Sequence, residues 1–234
     1  GNAGGVEAAM DRALARGADA VWILDDDSLP RSDGLQALLG AYRDDHVVHP
    51  IQIDPDTGRL AWPIQMERDG GWELVETLDG LPPGASFRSR ASWTGALVPR
   101  RIREAVGPVR GDLFIRGEDE EYPWRIARAG FRFICVRGAV LDHPGPRRLV
   151  RWRIGRRSFF YEPGLSGWKL YYKVRNMVWL RRKQAGAMAA GVLAGVYALA
   201  ILRHEKAWME AWRIWWQGVR DGLRGRLGRW ERHP

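Results

Sequence analysis

Cysteine is almost missing from this chain: Cys135 stands alone among 234 residues. A single thiol excludes an intramolecular disulfide and any zinc site built from cysteines, and it suits a reducing compartment. The amino end carries no start methionine, basic segment or apolar run, because the chain opens on GNAGG, so no signal peptide is read there. GNAGG reads as a glycine-rich turn, and such an opening is expected in the middle of a domain. Internal repeats and low-complexity tracts are missing as well.

What is present is a globular composition with an uneven charge. Hydrophobic residues make up 45% of the chain, enough to fill a sizeable core. The formal charge of +9 hides two contrasting parts: residues 1–144 carry 17 Lys and Arg against 23 Asp and Glu, whereas residues 145–234 carry 20 against 5. The first part is therefore about −6 and the second about +15, with a junction near DHPGPRR. A tail so basic suits a polyanionic partner.

Residues 6–16, VEAAMDRALAR, place Val6, Met10, Ala13 and Leu14 at helical spacing, with Gly17 positioned to end the helix. ADAVWIL then reads as a short buried strand whose carboxyl end carries Asp25, Asp26 and Asp27. Open α/β sheets bind ligands at that end of their strands. A helix over 33–43, the strand VVHPIQID and the turn DPDTG follow. Residues 59–92 read as irregular hairpins and loop, SWTGALVPR (92–100) as a strand and RIREAVG as a helix closed by Gly107. Glu118, Asp119, Glu120 and Glu121 then open a helix with Tyr122, Ile126 and Ala129 on one face, where Pro123 is expected in the tolerant first turn. The strand FRFICV comes next, so the expected class is α/β, a mixed sheet with flanking helices.

The basic part is helical in pattern. Residues 166–183 are aromatic and basic, and residues 184–202 are uncharged, flanked by Arg182, Lys183 and Arg203. That length barely spans a bilayer and could equally lie re-entrant. Residues 203–230 set Trp208, Trp212, Trp215, Trp216 and Val219 on one helical face with Lys and Arg elsewhere, the pattern of a helix that settles at an anionic interface.

One aspartate after a strand is ordinarily a cap or a turn residue. Three adjacent carboxylates repel one another, and a divalent cation shared with a phosphorylated ligand is the economical explanation. Alternate residues of an extended segment point the same way, so Asp25 and Asp27 can share a site while Asp26 faces elsewhere. For Glu120 and Glu121, compensation of the helix dipole serves as well as function, and Asp119 is harder to dismiss. His143 alone reads as structural, and Trp93 and Trp124 suit either the core or stacking on a sugar.

Three motifs in order, DDD after a strand, GEDEEYPWRIARAG about ninety residues on and DHPG after the next strand, resemble the inverting family 2 glycosyltransferases of the GT-A fold. Within that family they are most similar to bacterial galactofuranosyltransferases and rhamnosyltransferases. GNAGG, WTGAL and YYKVRNMVWLRRK add to the resemblance, which runs from residue 1 to about residue 183. It implies a GT-A catalytic domain over 1–150, lacking its first nucleotide-binding strand, and a basic, aromatic, membrane-associated region over 151–234. VEAAM stands where relatives carry a second glycine cluster.

The resemblance also implies Mn²⁺ or Mg²⁺ on Asp25 and Asp27, with His143 completing the shell. The motif (Asp/Glu)-Asp-x-Glu-(Tyr/Phe)-x-x-Arg falls on Glu118, Asp119, Glu121, Tyr122 and Arg125 and puts Asp119 in the base position beside Glu118. Substrate contacts are implied for Asn2, Gly4, Gly5, Asp26, Trp93, Gly95, Glu121, Trp124 and Arg125. The implied reaction is inverting transfer of galactofuranose or rhamnose from a nucleoside-diphosphate sugar to a lipid-linked or polysaccharide acceptor. Its implied place is the cytoplasmic face of the cell membrane, with an anionic membrane surface as partner and no nucleic acid. The competing reading, drawn from the basic tail and its aromatics, is a membrane-associated scaffold or nucleic-acid-binding protein whose domain is not catalytic.

Overall fold

The computed structural model describes residues 1–90, 93–146, 148–154, 157–165 and 167–230. Ala91 and Ser92 before the expected strand core, Arg147 in the charge junction and Ser166 at the start of the expected aromatic helix lie outside the described residues. The helices are α1 Asn2–Ala15, α2 Gly34–Gly40, α3 Arg100–Val106, α4 Glu118–Arg128, α5 Gly167–His204 and α6 Trp208–Arg224. The strands are β1 Ala20–Trp22, β2 Leu29–Pro30, β3 His46–Ile53, β4 Ile64–Arg68, β5 Gly71–Val75, β6 Ser86–Ser89, β7 Leu97–Pro99, β8 Arg132–Asp142, β9 Val150–Ile154 and β10 Arg157–Tyr161. Two compact units result, a sheet unit of Val6–Val109 with Asp119–Gly145, and a helical unit of Gly1–Gly5, Arg110–Glu118 and Pro146–Pro234.

The sheet unit is the expected mixed sheet with flanking helices. Its strand order is β1-β7-β3-β8-β6-β4-β5, with β2 laid against β8. β3 and β8 run parallel, while β7 is antiparallel to both β1 and β3. Hence β1, β3 and β8 share one direction, and the aspartate triplet, the DPDTG turn and DHPG all leave the sheet at carboxyl ends. Alternation along the strands divides the core between two faces. Val47 and Val98 pack with Met10 of α1, Ile102 of α3 and Tyr122 and Ile126 of α4. Their neighbours Val48 and Leu97 turn the other way, onto Leu38 of α2. Cys135 is fully buried with Ile51, Met66 and Val75, and burial pushes its thiol up to about 12, which makes it an inert core residue.

Three local elements differ from their expected form. Residues 59–92 hold a regular hairpin: β4 and β5 pair from Ile64↔Val75 to Arg68↔Gly71. Asp69 and Gly70 turn it with positive φ (51° and 74°), the Asp-Gly signature of a two-residue turn. Its strands, IQMER and GWELV, are half exposed, so polar residues mask the alternation. Pro123 is the sixth residue of α4 rather than part of its first turn, so its missing N–H removes the bond that would close on the Asp119 carbonyl.

From Asn2 on, GNAGG likewise is helix, not turn. In the helical unit the Gly5 N–H bonds the Gly1 carbonyl at 3.1 Å and the Ala3 N–H bonds Phe114 O at 3.2 Å. A Cβ on Gly1 would sit 2.1 Å from Phe114 O, so that glycine serves a close backbone approach.

In the same unit, residues 167–183 and 184–202 of the two expected segments form the single helix α5, broken in geometry at Gly186 (φ 85°, ψ 174°). Among the described residues it is the one helix long and apolar enough to cross a membrane. α6 lies close against it, since a Cβ on Gly222 would meet Arg175 O at 2.5 Å. The tryptophans of α6 do not share one environment: the Trp215 indole donates to Ala194 O at 3.0 Å and Val219 is buried, whereas Trp208, Trp212 and Trp216 are exposed.

Candidate metal centre and active site

The triplet is positioned by backbone pairing on both sides. Beyond β1, the Ile23 N–H bonds Ala96 O at 2.9 Å and the Ile23 carbonyl accepts Gly95 N–H at 2.7 Å. Gly95 has φ 83°, and a Cβ there would lie 2.5 Å from Pro50 Cγ, so the turn can press this close only with glycine. The turn presents Thr94. Its carbonyl accepts Gln52 Nε2 at 2.8 Å, and its hydroxyl donates to Asp25 Oδ2 at 2.5 Å.

After the triplet, the Ser28 N–H closes a turn on Asp25 O at 3.1 Å, and β2 runs back along β8 with Leu29 opposite Asp142. Arg31 clasps Asp142 at 2.9 and 3.3 Å. His143 continues β8 onto β3 through its N–H to Ile53 O at 2.9 Å. By these means residues far apart in sequence meet: Asp25, Asp27 and His143 offer ligand atoms that all lie within 4.8 Å of one another.

The group is closed beneath and open above. His143 is 13% exposed and its Nδ1 lies 3.1 Å from Ser28 Oγ and 3.3 Å from Asp27 Oδ1, while the Asp27 side chain is 57% exposed. Asp26 faces solvent outside the group. Two carboxylates and an imidazole are a donor set that fits a hard or borderline divalent cation such as Mg²⁺ or Mn²⁺, and a cation between the carboxylates relieves their repulsion. Asp54 supports the DHPG loop by accepting the Gly145 N–H at 3.3 Å and closes its own DPDTG turn by accepting the Asp56 N–H at 2.9 Å.

α4 sorts its acidic residues by burial. Asp119 and Glu120 are exposed, whereas Glu121 is 2% exposed. Both Glu121 oxygens accept from Arg125, at 2.8 and 3.0 Å, and the same guanidinium donates to Val106 O at 2.9 Å and Pro108 O at 2.7 Å. Glu121 and Arg125 thus clamp α4 to the end of α3. The Tyr122 hydroxyl donates to Gly107 O at 3.1 Å, and burial pushes its phenol up to about 12.

Trp93, a candidate for stacking on sugar, is 5% exposed and packs edge-on to Tyr122 with centroids 5.3 Å apart, so it is a core residue with no open face. Trp124 is half-buried, with the Arg128 guanidinium over its ring at 5.3 Å. In the helical unit, Asn2 Nδ2 donates to Glu118 Oε1 at 2.9 Å, and Glu118 is 3% exposed. A Cβ on Gly4 would come 4.0 Å from Gly111 Cα, and one on Gly5 would meet nothing within 4 Å. Thr94, Gln52, Ser28 and Asp54 escape sequence reasoning. Only the last had a signal, its place at the head of a DPDTG turn.

Fold and site together define an α/β protein with a candidate divalent-cation centre at the carboxyl ends of its parallel strands. No protein-family model matches the chain. The chain is similar to the galactofuranosyltransferase GlfT1 of Mycobacterium tuberculosis, 33% identical over 195 residues that cover 75% of this chain and 59% of that protein. Its similarity to GlfT1 of Mycolicibacterium smegmatis is 32% over 161 residues, 62% of this chain and 50% of the relative. The chain thus spans only between half and three-fifths of the length of these curated relatives. A solved structure of GalNAc-T7 with UDP, GalNAc and Mn²⁺ superposes on 73% of this chain and 34% of its own, with a TM-score of 0.45 and 16% identity.

Proposed function

We propose that this chain is a family 2 glycosyltransferase of the galactofuranosyltransferase kind, transferring galactofuranose from a nucleoside-diphosphate donor with inversion. The observation that carries the reading is the meeting of Asp25, Asp27 and His143 at the carboxyl ends of β1 and β8. The similarity to GlfT1 over 195 residues supports it. Rhamnose is the donor sugar next in line. In this reading residues 1–150 are the catalytic domain and residues 151–234 a membrane-associated region.

Asp25, Asp27 and His143 would hold Mn²⁺ or Mg²⁺. The cation, when bound, supplies charge neutralisation to the departing nucleoside diphosphate. Thr94 fixes the orientation of Asp25 through its hydroxyl, and Ser28 and Ile53 hold His143 in place. Asp119, exposed at the start of α4, accepts the proton of the acceptor hydroxyl as that oxygen attacks the anomeric carbon opposite the leaving diphosphate. Glu121 is unsuited to that task because Arg125 engages both its oxygens. Asn2, Gly4, Gly5, Asp26, Gly95 and Trp124 are the proposed contacts to substrate, with Glu118 beside the base.

The acceptor is proposed to be lipid-linked, met at the cytoplasmic leaflet. Exposed Trp208, Met209, Trp212 and Trp216 of α6, with Met188, Val192, Leu199 and Leu202 of α5, offer apolar and aromatic surface in a region of charge about +15. Anionic lipid suits that combination. The test is a screen of nucleotide-activated galactofuranose and rhamnose with Mn²⁺, scored for released nucleoside diphosphate. Release with neither donor, in the presence of membrane lipid acceptors, would overturn the assignment.

A further inference from the structure

The motif YYKVRNMVWLRRK is absorbed by no step of the proposed reaction, yet its middle is the most buried polar stretch of α5. Arg175 is 1% exposed and Asn176 0%. Asn176 Nδ2 lies 2.9, 3.1 and 2.5 Å from the carbonyl oxygens of Leu113, Ile115 and Arg116. Asn176 Oδ1 accepts Arg175 Nε at 2.8 Å, and the rest of that guanidinium donates to Leu113 O at 3.0 Å and Gly228 O at 2.6 Å. A buried amide and guanidinium pay a large desolvation cost unless satisfied, and here one short loop supplies most of the acceptors.

That loop is strained. Phe114 has φ 68° and ψ −62°, and the Ile115 N–H closes on Leu113 O at 2.9 Å, which is a γ-turn of the rare, positive-φ kind. Arg116 (φ 62°) and Gly117 (φ 105°) continue with positive φ. Backbone of this sort is unfavourable on its own and persists only where its surroundings over-determine it. The surroundings are α5 and the segment before it: Tyr172 of α5 stacks on Phe114 with centroids 4.9 Å apart, and Glu162, just after β10 and itself held by Lys173 at 2.6 Å, takes Arg116 at 3.0 Å. A Cβ on Gly117 would sit 3.0 Å from Asn176 Cβ, so the chain passes directly over the asparagine. One residue later α4 begins, with Glu118 and then Asp119.

We infer that Arg175 and Asn176 are positioning residues, which lock the strained 113–117 loop and so fix where α4 starts and where Asp119 is presented. This rests on the proposed role of Asp119. It assigns the RN pair of the helical unit a part in turnover without contact to substrate.

The test uses the full chain with Asn176→Ala, and Arg175→Lys as the milder variant should the first not fold. Amide exchange at Leu113, Phe114 and Ile115 should rise about tenfold or more while α6 amides keep their rates. Turnover should fall about tenfold or more, with donor KM and Mn²⁺ affinity within about twofold of the parent. A merely structural role would raise exchange throughout α5 and α6 and change donor KM and Mn²⁺ affinity along with turnover, and that result, or unchanged loop exchange, overturns the inference. If the parent transfers no sugar, the proposed function fails and the exchange measurement alone decides the positioning role.

Discussion

Replacing Glu121 with Gln separates a clamp from a catalyst. Its carboxylate is 2% exposed and accepts two bonds from Arg125, whose side chain is 23% exposed. Removing one partner of a fully buried ion pair costs about 3–5 kcal/mol, because the other charge is left uncompensated. Arg125 reaches water and keeps its bonds to Val106 O and Pro108 O, and Gln can still accept one of its bonds, so about 2–3 kcal/mol is expected. For a chain of this size that corresponds to about 5–10 °C in Tm. Urea and thermal unfolding followed by circular dichroism would measure it. Turnover at a temperature where the variant is folded should fall far less than in Asp119→Asn, for which a loss of about 10²–10⁴ is expected with donor KM little changed. Undiminished stability with turnover abolished would refute the clamp and put Glu121 in the chemistry.

Other consequences follow from the same structure. Gly95→Ala forces a Cβ to 2.5 Å from Pro50 at φ 83°, and should cost about 3 kcal/mol or more while weakening metal binding through displaced Thr94. Wild-type stability in that variant would contradict the tight turn. Thr94→Val removes the hydroxyl from Asp25 and should weaken Mn²⁺ binding about tenfold, read by calorimetry, with unchanged affinity as the contrary result. His49 is buried and neutral, its imidazole held down to about 4 by desolvation against an opposing bond to Pro50 O. As pH falls below about 6.5 the unfolded chain takes up a proton that the folded chain refuses, so stability is full above that value and erodes by up to about 3 kcal/mol towards pH 4. His49→Gln should flatten this part of the urea-midpoint profile, and an unaltered slope would exclude His49 as its source. Replacing Trp208, Trp212 and Trp216 with Ser should abolish flotation with anionic liposomes, and persistence of flotation would put the lipid contact elsewhere.

Much of the fold was legible because its elements announce themselves chemically. VVHPIQID and FRFICV are apolar runs of strand length that suit a buried central position, and they became the parallel neighbours β3 and β8. The β4–β5 hairpin was hidden because half its residues are exposed and polar, although Asp69-Gly70 was a turn signal in plain view. GNAGG was read as a turn because glycine disfavours helix, a local preference that close packing on Phe114 overrides. In the site, the run of carboxylates was legible, since such charge needs a physical reason. Thr94, Gln52 and Ser28 were not, because a single hydrogen bond from a neutral side chain leaves no pattern. Arg175 and Asn176 lie in a basic, aromatic helical pattern that carries no sign of their burial, and only their loop partners explain it.

The central claim is a divalent-cation centre serving sugar transfer, and Mn²⁺ titration by calorimetry on the protein, Asp27→Asn and His143→Ala tests it most directly. The prediction is one Mn²⁺ per chain, affinity lowered about tenfold or more in each variant, and release of nucleoside diphosphate from activated galactofuranose lost in step. Equal Mn²⁺ binding by all three proteins, or full turnover in Asp27→Asn, would contradict it.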